Sequence, residues 1–146
     1  MSDGLTHIRV RRLRPNATLP FRATEHASGF DLYACLDAPV EVGPAPTLVG
    51  TGIAMEVPPG LDAQIRPRSG LAKQGVLCTL GTLDSDYRGE LIVTLYAYAP
   101  GVRHVIHDGD RIAQIVITRL EPVHFDEAHE LSETARGDGG HGSTGR

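Results

Sequence analysis

The chain lacks tryptophan altogether, and its four tyrosines and three phenylalanines are few for 146 residues. A chain this short of bulky core side chains gains buried area by associating with copies of itself. It has only two cysteines, Cys35 and Cys78. Two cysteines cannot make a disulfide framework, so buried free thiols are expected, with a single bridge as the alternative. No run of 18 apolar residues occurs, which excludes a membrane-spanning helix. The first residues, Met1 to His7, contain no apolar signal core, and the expectation is a cytoplasmic protein. A basic excess is also missing: the formal net charge is −4. Nucleic acid is therefore not an expected partner, since binding it requires cations to meet phosphates.

What is present is a pattern of short apolar runs cut by glycine, proline and aspartate, which predicts an all-β domain. Ile8 and Val10 alternate with arginines, as in a half-buried strand. Leu48–Val49 and Ile53–Met55–Val57 follow, and Pro58-Pro59-Gly60 is a turn. Leu61, Ala63 and Ile65 alternate with polar residues. Residues 90–99 (ELIVTLYAYA) are apolar on both faces and predict a strand buried on both sides. Residues 111–120 (RIAQIVITRL) are β-branched and strand-like. The one helical candidate follows Ser69 and is barely a turn long. Short strands at regular spacing favour a barrel or jelly-roll-like sandwich. At this length roughly 68–70% of the unfolded surface is buried, enough for one core domain. Residues 1–120 are assigned to that core. In residues 121–146 the apolar periodicity fades, and five of the last eleven residues are glycine, which predicts a flexible arm.

Five segments carry candidate chemistry. In Ala27–Ala34, Asp31 follows a glycine and either ends a turn or holds a hard cation, directly or through water. In Arg66–Ala72, Pro67 prevents an early helix start. Arg68, the Ser69 hydroxyl and backbone N–H groups could converge on an anion, or Ser69 could simply cap the helix. Gly81–Glu90 offers carboxylates, an aromatic and a cation within ten residues. There a carboxylate could take a proton from attacking water, or the segment could be a polar hairpin loop. Gln114 lies inside an apolar strand, where its amide must find either a core partner or a ligand. In the arm, glycines permit close wrapping round phosphate oxygens, Arg136 supplies charge, and Ser143 and Thr144 supply hydroxyls. His141 could stack on a base.

The order and wording of these segments resemble the five motifs of the trimeric dUTPases. The resemblance runs from Ala27 to Gly145, with PRSGLA, DSDYRGE, GDRIAQIV and RGDGGHGSTG nearly word for word. It implies a jelly-roll-like subunit, a homotrimer, and hydrolysis of dUTP to dUMP and pyrophosphate with magnesium at subunit interfaces. Asp84 matches the general base that deprotonates water, and Asp31 the carboxylate that helps hold magnesium, mostly through coordinated water. Arg68, Ser69, Gly70 and Gln114 match phosphate contacts. Tyr87 matches the aromatic under the deoxyribose. Arg136, Gly142, Ser143 and Thr144 match the grip of the arm on the outer phosphates, and His141 stands where many members have phenylalanine. In one respect the chain departs from the family pattern. The loop Gly75–Gly81 is about two residues shorter than in many members and has no asparagine, so reading of uracil would rest on backbone groups of Gly81, Thr82 and Leu83. A related enzyme, dCTP deaminase, shares the fold but needs a glutamate as proton shuttle near C4 of the base. A non-catalytic nucleotide-binding relative would be expected to lack Asp84 or the arm, and both are here.

Overall fold

Short β-branched runs punctuated by glycine and proline become eleven strands and one helical turn in the computed structural model, which describes residues 3–142. The strands are β1 (Arg9–Arg12), β2 (Gly29–Tyr33), β3 (Val40–Val42), β4 (Thr47–Gly50), β5 (Ile53–Glu56) and β6 (Leu61–Arg66). After the turn α1 (Ser69–Lys73) come β7 (Val76–Cys78), β8 (Gly81–Leu83), β9 (Ile92–Ala97), β10 (His104–Ile106) and β11 (Arg111–Arg119). All pairings are antiparallel. The largest sheet runs β2-β11-β6-β8, a second runs β4-β9-β7, and β1-β5 and β10-β3 form two-stranded ribbons. This is the all-β, jelly-roll-like architecture that the sequence predicts.

The core is filled by the inward residues of these sheets. Leu32, Val42, Val49, Ile53, Leu95, Ile106 and Ala113 are almost wholly buried. Thr51 is the one buried polar residue among those described, and its hydroxyl donates to Leu91 O at 2.6 Å. No buried side-chain N or O among the described residues lacks a partner, as a close-packed interior requires. No helix among them is long and apolar enough to cross a membrane.

Two expectations need correcting. β9 begins at Ile92 rather than Glu90, and it is not buried on both sides within one chain. Val93, Leu95 and Ala97 point inward, whereas Ile92 is 45% exposed and Thr94 and Tyr96 are half-buried. The β4-β9-β7 sheet has the core on one face only, and Leu48 on β4 is 68% exposed beside this strand. The helix after Pro67 does start at Ser69, but the capping position belongs to Arg68, and no side chain caps it.

Both cysteines are free and buried. Cys35 donates to Asn16 Oδ1 at 3.2 Å, and burial pushes its thiol pKa up, against the opposing pull of Arg14. Burial lifts Cys78 from the ordinary 9.0 to about 11. The folded state thus holds the Cys78 proton more tightly than the unfolded chain. Its contribution to stability is complete below pH 9 and is lost as pH rises through about 11. Chemical denaturation of the wild type should therefore lose on the order of 2 kcal/mol more than Cys78→Ala across that window. Parallel pH profiles for the two proteins would contradict this.

Candidate active site

The site begins with an irregularity in β11. Between Arg111 and Ala113 its register against β2 slips by one residue. Continuing the Arg111↔Tyr33 pairing would have set Gln114 opposite Phe30; the slip sets it opposite Asp31. Directly opposed residues project from the same face, and Gln114 also faces Arg66 across β6. Asp31, Gln114 and Arg66 thus form one row across three strands. A bulge of this kind redirects side chains. Asp31 lies within β2 and bridges Phe21, so the reading of it as a turn-ending residue is set aside.

Arg68 joins this row from the turn that follows β6. Pro67 keeps its own neighbourhood out of the helical region, and Arg68 is extended, with φ −101° and ψ 139°. Its Nε donates to Asp31 Oδ1 at 2.9 Å, with the two side chains only 21% and 15% exposed. Its Nη1 reaches Arg111 O at 3.4 Å. Gln114 Nε2 donates to Pro67 O at 2.9 Å. The Gln114 amide therefore has a protein partner, and it pins the turn that presents Arg68. Ser69 and Gly70 follow, both exposed on the first turn of α1. Gly29 was given no role by the sequence, yet it is required here. A Cβ at that position would overlap Gln114 Oε1.

A second group forms round β8, which pairs with β6 through Ile65↔Gly81 and Ala63↔Leu83. Thr82 Oγ1 donates to Gln64 Oε1 at 3.2 Å. Beyond Leu83 the chain turns, with Tyr87 N donating to Asp84 O at 3.1 Å, and the Asp84 side chain is exposed. The Tyr87 hydroxyl donates to Glu90 O at 2.8 Å, which fixes the ring. Gly81, Thr82, Leu83, Asp84 and Tyr87 line a cleft of about 220 Å³ together with Ile65 and Glu90. Glu90, the last residue of the carboxylate-bearing segment Gly81–Glu90, also lines this cleft, although the resemblance assigned it no individual role.

Within one chain Arg68 and Asp84 stand toward opposite ends of β6. Arg68 lies past Arg66, at one end of β6, and Asp84 lies past Leu83, toward the Leu61 end. Six extended residues span roughly 17 Å. Arg68 and Gly70 instead line a cleft of about 540 Å³ between α1 and β10, with Gln74, His104, His107 and Arg111.

A third group of candidate residues lies in the segment after Leu120. Arg136 Nε donates to Gly139 O at 2.7 Å, His141 has a left-handed φ of 50° and Gly142 one of 86°. Ser143 and Thr144 lie outside the described residues. Every hydrogen bond that the structure gives residues 121–142 stays within that segment. Val123, Phe125 and Leu131 are 71%, 93% and 87% exposed.

Metal-binding capacity is limited. No group of three or more His, Cys, Asp or Glu among the described residues could enclose an ion. Asp31 offers one carboxylate oxygen beyond the one that accepts from Arg68.

Comparison with known proteins gives a consistent result. The dUTPase family profile matches residues 15–145. A deoxyuridine 5'-triphosphate nucleotidohydrolase of Hydrogenobaculum sp. is 53% identical over 140 residues, covering 93% of this chain and 96% of the relative. One of Corynebacterium efficiens is 47% identical over 147 residues, covering 99% and 81%. Among solved structures, a mutant dUTPase of Staphylococcus bacteriophage 80alpha with dUpNHpp superposes with a TM-score of 0.83. It is 22% identical, and the match covers 97% of this chain and all of that one. At that identity the likeness speaks to the fold.

The close approach at Gly29 gives a direct check. Gly29→Ala should displace the Gln114 amide and cost about 1–3 kcal/mol by overpacking, read as a lower denaturant midpoint. A midpoint equal to wild type would show that the Gly29–Gln114 contact carries no constraint.

Proposed function

The chain belongs to the dUTPase family, and we propose that it hydrolyses dUTP to dUMP and pyrophosphate at sites assembled from more than one copy of itself. One observation supports the shared site above all: the phosphate-contacting residues and the proposed base lie at opposite ends of β6, in different clefts. A second copy can bring the Asp84 cleft of one subunit to the Arg68 row of another. A homotrimer closes such an arrangement with identical interfaces. The outward side of the β4-β9-β7 sheet, with Leu48 and Ile92, supplies apolar surface for it to cover.

In this reading Asp84, whose side chain is exposed, accepts a proton from the water that attacks the α-phosphorus, which requires that water within hydrogen-bond reach of the carboxylate. No side-chain nucleophile is needed once the water is aligned. Tyr87 is held by its bond to Glu90 O and forms the floor under the deoxyribose. The β8 backbone at Gly81, Thr82 and Leu83 faces the base. Arg68, Ser69 and Gly70 meet the phosphates, with Gln114 steadying them through Pro67. The arm, with Arg136, His141, Gly142, Ser143 and Thr144, closes over the nucleotide and excludes water. Its described part makes no hydrogen bond to the body of its own subunit, which favours service to a neighbouring copy.

Magnesium fits this donor set. The ion takes one or two carboxylates and leaves its other positions to water and substrate phosphates, and Asp31 offers one free carboxylate oxygen rather than a cage. When bound beside Asp31 it would offset phosphate charge.

Replacing the base should separate binding from turnover. Asp84→Asn is expected to hold a non-hydrolysable dUTP analogue as the wild type does while pyrophosphate release falls by about 10²–10⁴. Wild-type turnover in that variant would overturn the assignment of the base, and ammonia release from dCTP by the wild type would point to a deaminase instead. A chain ending before Arg136 should keep its thermal midpoint and lose most of its turnover, because residues 136–142 add no hydrogen bonds to the body. Undiminished turnover would reduce the arm to a tail.

A further inference from the structure

The aromatic floor of the Asp84 cleft is set in height by its own turn. The Tyr87 hydroxyl donates to Glu90 O at 2.8 Å, so the ring folds back along the chain that follows it. On the way it crosses Gly89. A Cβ there would overlap the Tyr87 hydroxyl and lie 2.6 Å from Cζ. Gly89 is not in the left-handed region, so its backbone conformation does not call for glycine. The ring does. The acceptor of the hydroxyl is held firmly as well. Leu91, next in the chain, is 2% exposed; its N–H donates to Ile53 O at 2.9 Å, and its carbonyl accepts from the Thr51 hydroxyl at 2.6 Å. The Glu90 side chain lies over Gly50, where a Cβ would come 2.5 Å from Oε2. Tyr87 is thus tied through Glu90 and Leu91 to the buried turn between β4 and β5, while the residue itself keeps 44% exposure beside the cleft.

We propose that Gly89 is a positioning residue for sugar selection: by lacking a side chain it lets the Tyr87 ring seat against the chain, bonded to the Glu90 carbonyl, at a height that admits a deoxyribose and refuses a ribose. The inference rests on the functional reading above, which places the sugar on Tyr87. dUTP and UTP differ by one 2′-hydroxyl, and an added group is rejected only where the wall it meets cannot give. A half-exposed tyrosine free to turn about its side-chain bonds would give. Seated on Gly89 and bonded at its hydroxyl, the ring is held at both ends. Gly89→Ala lifts the ring off this seat and breaks the hydroxyl bond, and an exposed ring has room to move aside. Gly29 is the contrasting case, because its neighbour Gln114 is pinned to Pro67 O. Gly89 touches no substrate atom in this account and acts only through Tyr87.

The test uses the full-length protein with dUTP and UTP, read as the ratio of their kcat/KM values. Gly89→Ala should lower that ratio by about tenfold to a hundredfold, with a denaturant midpoint close to wild type because the exposed ring moves aside. Tyr87→Phe keeps the ring but loses its bond, and should lower the ratio by about threefold to tenfold. Gly89→Ala placed on a Tyr87→Ala background isolates the route of action. With no ring to displace, the ratio should stay within about twofold of that of Tyr87→Ala alone. An unchanged ratio in folded Gly89→Ala would overturn the proposal. So would an equal further drop on the Tyr87→Ala background, since a merely structural glycine acts without the ring. If Gly89→Ala does not fold, Tyr87→Phe decides, and an unchanged ratio there means that the ring needs no seat. A wild type that releases no pyrophosphate from dUTP would sink the functional reading. A wild type that cleaves dUTP and UTP equally well would sink this inference alone.

Discussion

One extra residue in β11 governs the geometry of the row Asp31, Gln114 and Arg66. Without the slip between Arg111 and Ala113, Phe30 rather than Asp31 would stand opposite Gln114, and the carboxylate would turn to the other face of the sheet. With it, Asp31 meets Arg68 at 2.9 Å, and Gln114 reaches the carbonyl of Pro67. Gly29 then has to be small, because the Gln114 amide occupies the space above it. The core half of β11 holds the bulge in place. Ile112, Ala113 and Ile115 are nearly fully buried, so an alternative register would expose apolar surface and bury polar groups.

The same sheet explains why the proposed site needs more than one chain. β6 acts as a spacer, with the Asp31–Gln114–Arg66 row at its Arg66 end and the Asp84 turn toward its other end. Antiparallel pairing of β8 with β6 forces this separation, since β8 must run back along β6 before Asp84 is reached. The arm departs after Leu120, whose N–H donates to Gly60 O, and thereafter bonds only within itself among the described residues. Exposed Phe125 and Leu131 on the arm and exposed Leu48 and Ile92 on the body fit a chain that completes its surface by association.

Much of the fold was legible in the sequence. Alternation located β1 and β6, a short apolar run located β5, β-branched composition located β11, and Pro58-Pro59-Gly60 marked the turn between β5 and β6. The three-residue strands β3, β7, β8 and β10 were not legible, because three residues give no measurable period. β9 looked doubly buried because its outward residues Ile92 and Tyr96 are also apolar; a pattern rule cannot tell a core from a surface awaiting a partner. Residues 27–34 showed Asp31 near a glycine, but not that Asp31 would pair with Arg68. That depends on register, which no single segment encodes. Asp84 and Tyr87 were legible as neighbours in sequence, while Glu90, read both as a carboxylate of the same segment and as the start of a strand, was given no individual place in the cleft. The separation of the Arg68 and Asp84 groups came only from strand pairing.

The dependence of the site on two copies can be measured by mixing. Asp84→Asn and Arg68→Ala, each deficient in dUTP turnover, are unfolded together in equal amounts and refolded. If Arg68 and Asp84 of one site come from different subunits, about one quarter of wild-type turnover should return, since half the copies supply each residue at random. Turnover no greater than the average of the two separate variants would contradict the shared site.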